Sequence, residues 1–149
     1  MRRDAPIARE NATAEEVARI MRDENVGFVP IVTDETSRRL VGVITDRDLA
    51  MLVVAEHRDP RRTAVGYLAS REIITASPDE DLGDVERKLA DAELRRLPVV
   101  DEHGAVVGVV SLHDIAQRED PLQTGRVFRE VSKPSARMGE DEPEGSEED

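Results

Sequence analysis

The sequence contains no cysteine, no tryptophan and only three aromatic residues among its 149. Without cysteine it has no thiol nucleophile, no redox-active disulfide and no thiolate ligand for zinc or an iron–sulfur cluster. Its three histidines, His57, His103 and His113, are dispersed, so we expect no metal site. Three aromatic side chains are too few for a platform that stacks the bases of single-stranded nucleic acid.

Long apolar runs are also absent. No stretch approaches the ~20 residues of a membrane-spanning helix, and no apolar segment of the signal-peptide type follows Met1. We therefore expect a cytoplasmic protein without membrane contact. A chain of 149 residues is long enough to bury one adequate core, so neither a disulfide nor a metal is needed for stability.

Negative charge dominates but is unevenly distributed. The chain has 33 acidic and 21 basic residues, a net charge of -12. Residues 139–149 contain seven of the acidic residues and no Lys or Arg, so the first 138 residues carry 26 acidic and 21 basic side chains. This mildly acidic body disfavours nucleic-acid binding, because such binding needs a basic surface. From about Lys133 onward the composition predicts a disordered acidic tail.

The body of the chain contains one pattern twice. Residues 28–34 resemble residues 96–102 at an offset of 68, and residues 40–49 resemble residues 106–115 at an offset of 66. The two-residue difference falls in a polar turn, where a hairpin tolerates insertion. Two such units would each be marginal alone. The duplication therefore predicts a single pseudo-symmetric α/β domain.

Each copy is predicted to contain two helices around two β-rich runs. Thr13 begins a capping box before the first helix, and Asp81 is the predicted cap of its counterpart in the second copy. The last helix of each copy is predicted over residues 46–56 and 112–118. Residues 71–75 are predicted to add a leading strand to the second copy.

The repeated pattern resembles the cystathionine-β-synthase (CBS) domain, tandem copies of which form the CBS pair or Bateman module. The resemblance rests on the blocks at residues 42–48 and 108–114, which read GVITDRD and GVVSLHD. It implies an α/β fold in which two β-α-β-β-α repeats pack through their small sheets. The expected division is repeat 1 over residues 5–58, a connector over 59–70, repeat 2 over 71–120 and a C-terminal extension over 121–149.

The resemblance implies a regulatory module and not an enzyme, with no catalytic residues and no required cofactor. It implies an adenosine-containing ligand (AMP, ADP, ATP or S-adenosylmethionine) in clefts between the repeats. It also implies a disc-like homodimer that reports to an unknown protein partner. The alternative function is that of a structural or interaction protein whose clefts bind no ligand.

Thr45-x-x-Asp48 and Ser111-x-x-Asp114 are the main candidate binding motifs. Each stands between a strand and a helix, where the carboxylate can accept hydrogen bonds from a ribose diol and the hydroxyl can hold phosphate. The same pattern is nearly a capping box, which would satisfy the helix N–H groups internally. The spacing does not decide between these roles, whereas the family resemblance favours ligand binding.

Arg95 and Arg96 precede the second copy's first β-rich run, at positions where the family often places phosphate-binding residues. Two solvated surface arginines are the alternative. We expect this basic pair to serve the cleft of Asp114, with His113 either a neighbour of the phosphate or a solvated residue. Ser111 and His113 are too close along the chain to form a catalytic triad with Asp114.

The corresponding positions of the first copy are Gly27 and Phe28. Because a basic pair is missing there, we expect the cleft of Asp48 to bind more weakly and to depend on Arg47 or on linker residues. Gly27 is a candidate wall for adenine, and Phe28 is assigned to the core.

Residues 49–55 are apolar at seven consecutive positions. A helix that is apolar on all sides cannot pack its whole surface on one sheet. We expect its outer side to meet a second copy of the chain.

Overall fold

The computed structural model describes residues 1–117, which form two similar halves. The first half comprises β1 (Ala8–Arg9), α1 (Ala14–Glu24), β2 (Phe28–Val32), β3 (Leu40–Thr45) and α2 (Asp46–Leu49), which continues as a π-helical turn (Ala50–Val54). After a 3₁₀ turn (Val65–Tyr67), the second half comprises α3 (Leu82–Ala92), β4 (Arg96–Val100), β5 (Val106–Ser111) and α4 (Leu112–Ala116). The predicted α/β class is confirmed. The predicted tail lies outside the described residues.

Both halves are built on an antiparallel hairpin. Pro30 of β2 lies opposite Val43 of β3, and Pro98 of β4 lies opposite Val109 of β5. In the first half β1 adds a parallel strand beside β2, so its sheet has three strands and the second sheet has two. Each half has an apolar core of its own, with Ile31 and other buried side chains in the first and a second cluster around α3 and α4.

Helix α1 begins with the predicted capping box. The backbone N–H of Glu16 donates to Thr13 Oγ1 at 3.1 Å, and the backbone N–H of Thr13 donates to Glu16 Oε1 at 2.8 Å. Asp81 occupies the predicted cap position of α3, but its side chain makes no capping hydrogen bond. The prediction was therefore correct for the place where α3 begins and wrong for the interaction that caps it.

The strand predicted over residues 71–75 is not formed. Ala76, just after the predicted strand, makes a single parallel bridge to Val99. Ser70, just before it, pairs with Val43 of β3 through two hydrogen bonds of 3.0 and 2.9 Å. Ser70 thus pairs with the first half, and this segment meets the second sheet only at Ala76, through two hydrogen bonds to β4. The helix predicted over residues 46–56 ends at Val54, and α4 ends at Ala116.

The N-terminal residues make the matching contact with the other half. Arg2 exchanges hydrogen bonds of 2.8 and 3.1 Å with Val109 of β5. Two segments cross a strand in this way, at Ser70 over β3 and at Arg2 over β5, and each lies against a glycine. A Cβ on Gly42 would lie 2.9 Å from the Ser70 carbonyl oxygen, and one on Gly108 would lie 2.9 Å from the Arg2 carbonyl oxygen. Real Cβ atoms essentially never come within 3.0 Å of other atoms, so the repeated glycine makes room for a crossing segment.

The two hairpins also join at their turns. The backbone N–H of Leu40 donates to Gly104 O at 3.0 Å, and that of Val106 donates to Arg38 O at 2.8 Å. The Arg38 side chain adds a third bond, from Nε to the Val106 carbonyl oxygen at 3.0 Å. These bonds join the repeats at the turn end of the two hairpins. Thr45 and Ser111 lie at the other end.

Candidate functional site

A cavity of about 710 Å³ opens between the two repeats. Repeat 1 contributes the start of β2, the end of β3 and the start of α2; residues 70–74 form one side; repeat 2 contributes the end of α3 and the start of β4. The lining residues are Gly27, Phe28, Val43, Thr45, Asp46, Arg47, Asp48, Ser70, Glu72, Ile73, Ile74, Ala92, Glu93, Leu94, Arg95, Arg96 and Pro98. Its volume is in the range typical of sites for small ligands.

Asp48 is held at the cavity by its own helix cap. The backbone N–H of Thr45 donates to Asp48 Oδ2 at 2.9 Å, and the backbone N–H of Asp48 donates to Thr45 Oγ1 at 3.1 Å. Asp48 Oδ1 makes no hydrogen bond to any group in residues 1–117. The capping interpretation of this motif is therefore confirmed, and it uses only one of the two carboxylate oxygens.

The Ser111 motif has the same geometry. The N–H of Ser111 donates to Asp114 Oδ2 at 3.1 Å, and the N–H of Asp114 donates to Ser111 Oγ at 3.1 Å. Ser111, His113 and Asp114 do not line the cavity described above. The Met1 amine lies 4.0 Å from Asp114 Oδ2, and His113 Nε2 lies 3.2 Å from the Gln117 side-chain nitrogen.

The basic pair, Arg95 and Arg96, does not lie at the cleft that the sequence predicts. Arg95 and Arg96 line the cavity that contains Asp48, whereas we expected them to serve Asp114 and to be missing from the Asp48 side. The reason is that the cavity is formed between repeats, so the start of β4 faces the start of α2. Arg96 still lies opposite Ser111 in the β4–β5 ladder, and it therefore stands between the two motifs.

Arg47, Arg95 and Arg96 are exposed at the cavity. Within the described part of the chain none of the three has a carboxylate within 4 Å, although the structure contains ten ion pairs elsewhere. The cavity thus presents guanidinium groups that are available to an anionic group. Its lining also includes four carboxylates, from Asp46, Asp48, Glu72 and Glu93.

Apolar side chains complete the lining, and the sequence pattern did not indicate most of them as site residues. Ile73, Ile74 and Leu94 line the cavity, and Ile74 and Leu94 are 41% and 37% exposed. Phe28, assigned to the core, lines the cavity and is only partly buried. Exposed apolar side chains that cluster around one cavity mark a binding surface. In the sequence, Ile73 and Ile74 indicated a strand instead.

The described residues include no helix long and apolar enough to cross a membrane. Among the same residues, no group of three or more metal-ligating side chains lies close enough together to hold a metal ion.

Two curated relatives resemble this chain over most of its length. It is 33% identical over 132 residues to the uncharacterized protein MK0525 of Methanopyrus kandleri, an alignment that covers 89% of this chain and 66% of that protein. It is 38% identical over 106 residues to the CBS domain-containing protein YhcV of Bacillus subtilis, covering 71% of this chain and 72% of YhcV. The chain thus spans about two thirds of the length of these relatives.

A solved structure adds a bound ligand to the comparison. The CBS domain pair of protein MJ0100, in complex with 5'-methylthioadenosine and S-adenosyl-L-methionine, is 31% identical, with a TM-score of 0.64 and coverage of 81% of this chain and 90% of that one. The family model for the CBS domain matches this chain twice, over residues 1–55 and 65–119. The chain belongs to the CBS-domain family, as a tandem pair of CBS repeats.

Proposed function

We propose that this protein is a regulatory module that binds an adenosine-containing ligand in the cavity between its repeats. One observation carries the proposal: a carboxylate with an unused oxygen on repeat 1 and arginines without carboxylate partners on repeat 2 line the same cavity. The complex of the MJ0100 pair with adenosyl compounds supports it.

Asp48 is the proposed ribose ligand. Its Oδ2 is anchored by the Thr45 N–H, which fixes the carboxylate in place and leaves Oδ1 for the ribose hydroxyls. Hydrogen bonds to a charged acceptor contribute about 1.5–3 kcal/mol each. The cap and the ligand role use different oxygens, so the two interpretations of the motif are compatible.

The apolar lining is the proposed site for adenine. Ile74 and Leu94 are partly exposed at the cavity, beside Phe28 and Ile73. Covering them with a purine would remove apolar surface from water, which stabilises the complex by about 25 cal/mol per Å². Gly27, whose carbonyl accepts the Asp46 N–H at 3.0 Å, keeps the wall free of a side chain.

Arg95, Arg96 and Arg47 are the proposed partners of the ligand's anionic group, which a guanidinium can bind through two parallel hydrogen bonds. The four carboxylates of the lining offset their charge. Among the ligands considered, the cavity therefore favours those of low charge, AMP or S-adenosylmethionine, over ADP and ATP.

Ser111, His113 and Asp114 are the proposed second site, related to the first by the repeat. Its cap leaves Asp114 Oδ1 without a hydrogen bond in the described residues, as in the first site. We propose that the Asp48 cavity binds more tightly, because Arg95 and Arg96 line it.

Thermal unfolding with AMP, S-adenosylmethionine and ATP tests the ligand proposal. A ligand at 100 times its Kd adds about 2.7 kcal/mol to the free energy of unfolding, which corresponds to roughly 5–10 °C in Tm for a domain of this size. If no adenosine compound at millimolar concentration raises the Tm, the sensor function is wrong. The chain would then be an interaction protein whose motifs only cap helices.

We also propose that the protein is a homodimer that acts on a further protein. The apolar segment predicted to meet a second copy is exposed: Met51 is 52% and Val54 is 74% exposed. Light scattering should give about twice the chain mass of 16.6 kDa, and Val54→Glu should shift the protein to monomer. A monomeric wild-type chain at micromolar concentration would contradict this proposal.

A further inference from the structure

We infer that Lys88 is a positioning residue for the ligand cavity, because it fixes the wall segment, residues 71–75, through Thr75 and Glu80. This inference rests on the proposed function, since it assigns a role in binding the same ligand. Three observations carry it: the few backbone hydrogen bonds of the wall segment, a proline that shortens the second sheet, and a set of side chains that differ between the repeats.

The wall segment has little backbone support of its own. It is flanked by one bridge to β3 and one bridge to β4. Within residues 1–117 its backbone makes a single hydrogen bond, which Lys88 Nζ donates to the Thr75 carbonyl oxygen at 2.8 Å. Residues 72–74 line the cavity and include two of the apolar side chains proposed to contact adenine. The position of this wall therefore depends on the contacts at its ends.

A proline explains why the chain meets the second sheet at a single bridge. In repeat 1, where β1 forms, the N–H of Glu10 donates to the Val32 carbonyl oxygen at 3.2 Å. At the offset of 68, Glu10 corresponds to Pro78, which has no N–H to donate. The N–H of Ser77, just before it, donates to Glu80 Oε1 at 3.1 Å. Repeat 2 thus uses a side chain where repeat 1 extends its sheet.

Lys88 and Glu80 form the contact that replaces the missing strand. The two oxygens of Glu80 lie 3.0 and 2.8 Å from Lys88 Nζ. This pair therefore holds the N–H of Ser77 and the carbonyl oxygen of Thr75, which lie on either side of Ala76. The Lys88 and Glu80 side chains are 38% and 17% exposed, so water screens their interaction less than that of a fully exposed ion pair. The pair joins α3 to the end of the wall segment.

The residues of this contact are polar in repeat 2 and have apolar counterparts in repeat 1. At the offset of 68, the counterparts of Thr75, Glu80 and Lys88 are Ile7, Ala12 and Ile20. Two of these, Ala12 and Ile20, pack against the core of repeat 1. The repeat unit therefore folds without a charged pair at these positions. The pair occurs beside the segment that lines the cavity, which favours a role in the site.

The absence of native tryptophan permits a direct test of the wall segment. Ile74→Trp places a single fluorophore on the wall, at a side chain that is 41% exposed. In this background Lys88→Met should increase the quenching of tryptophan fluorescence by acrylamide, because methionine keeps the aliphatic stem but cannot donate to Thr75. Lys88→Arg keeps the charge and the N–H donors and should restore the original quenching.

Arg87→Met is the matched control for the fluorescence test. Arg87 is the neighbouring cation on α3, and its guanidinium lies 2.9 Å from Asp84 of the same helix. Its loss should leave the quenching of the Ile74→Trp fluorophore unchanged. Equal quenching in Lys88→Met and Arg87→Met would overturn the inference.

Calorimetric titration with AMP and S-adenosylmethionine, in chains that keep Ile74, tests the effect on the site. If the wall is in place in a tenth of the Lys88→Met molecules, the affinity should fall about 10-fold, whereas Arg87→Met should bind as the wild type does. Unchanged affinity of Lys88→Met despite increased quenching would overturn the positioning role.

Two further results separate this inference from the proposed function and from misfolding. If the wild type binds neither probe, the proposed function is wrong, and the quenching comparison alone decides whether Lys88 fixes the wall. Circular dichroism identifies a variant that fails to fold. Glu80→Gln, which removes the charge from the partner of Lys88, then replaces Lys88→Met, and the same increase in quenching is expected.

Discussion

Arg96 lies opposite Ser111 in the β4–β5 ladder and at the same time lines the cavity that holds Asp48. One residue of repeat 2 is thus adjacent to the binding motif of its own repeat and to that of the other. The candidate site is a composite of both repeats. Substitutions in the two motifs can therefore be compared directly, because each motif caps a helix in the same way.

Asp48→Asn and Asp114→Asn form a matched pair. An Asn oxygen can still accept the N–H of Thr45 or Ser111, so we expect a small and similar change in the free energy of unfolding for both variants. Loss of the charge at Asp48 should weaken AMP or S-adenosylmethionine binding about 10- to 100-fold, because hydrogen bonds to a charged group contribute about 1.5–3 kcal/mol. Calorimetric titration measures this. A larger loss of affinity in Asp114→Asn than in Asp48→Asn would show that the principal site is at the Ser111 motif.

Ser111→Ala should lower the free energy of unfolding by about 1 kcal/mol, the usual cost of removing an N-cap side chain. Ser111→Thr is the control, because repeat 1 uses Thr45 in the same capping box. Urea denaturation should show a loss for the alanine variant and near wild-type stability for the threonine variant. Equal stability of all three proteins would mean that the 3.1 Å bond from the Asp114 N–H contributes little.

Gly42→Ala should destabilise the fold by about 1–3 kcal/mol, the range for overpacking a close contact. The new Cβ would lie 2.9 Å from both Ala69 Cβ and the Ser70 carbonyl oxygen. Gly83→Ala, in the first turn of α3, has no atom within 4 Å of the new Cβ and should stabilise by about 0.4–1 kcal/mol, because alanine restricts the unfolded chain. Thermal denaturation of both variants checks the pair, and an unchanged Tm for Gly42→Ala would show that residues 69–70 move aside easily.

Stability should decline in acid partly through two turn carboxylates. The backbone N–H of Ser37 lowers the pKa of Asp34, with help from the Ser37 hydroxyl, and the backbone N–H of Ala105 lowers the pKa of Asp101. A pKa that is lower in the folded state gives stability that is present above the unfolded pKa of about 3.9 and is lost as the pH falls below it.

Asp34→Asn removes one of these titrations. Between pH 6 and pH 3 its free energy of unfolding should therefore fall less than that of the wild type, and the two curves should converge in acid. Urea denaturation across that range measures the difference. Parallel curves would mean that Asp34 has the same pKa in the folded and unfolded chain.

Local pattern was sufficient for the features that lie within one repeat. The duplication, the hairpins and the capping boxes at Thr13, Thr45 and Ser111 all depend on residues close together in the chain, and propensity and periodicity report on such residues. The contacts between the repeats join residues far apart in the chain, so propensity and periodicity could not predict them. The sequence predicts that Arg95 and Arg96 serve the Ser111 motif, which is the nearest motif along the chain, although both arginines line the cavity that contains Asp48.

Residues 71–75 illustrate the same limit. Their β-rich composition predicts a strand but does not identify the strand's partner, and Ser70 pairs with β3 of repeat 1. The apolar residues Ile73 and Ile74 consequently line a cavity instead of entering a sheet. Single-sequence periodicity carries no information about which of two similar sheets a segment will contact.

The crossing segments have a consequence for how the protein folds. Arg2 pairs with β5 and Ser70 pairs with β3, so the chain before repeat 1 covers repeat 2 and the chain before repeat 2 covers repeat 1. Repeat 2 forms its complete set of backbone hydrogen bonds only with the N-terminal segment in place, and the N–H groups of Leu40 and Val106 at the hairpin turns each need the other repeat. The two halves should therefore unfold together as one cooperative transition, and a ligand that binds between them would slow local opening of both at once.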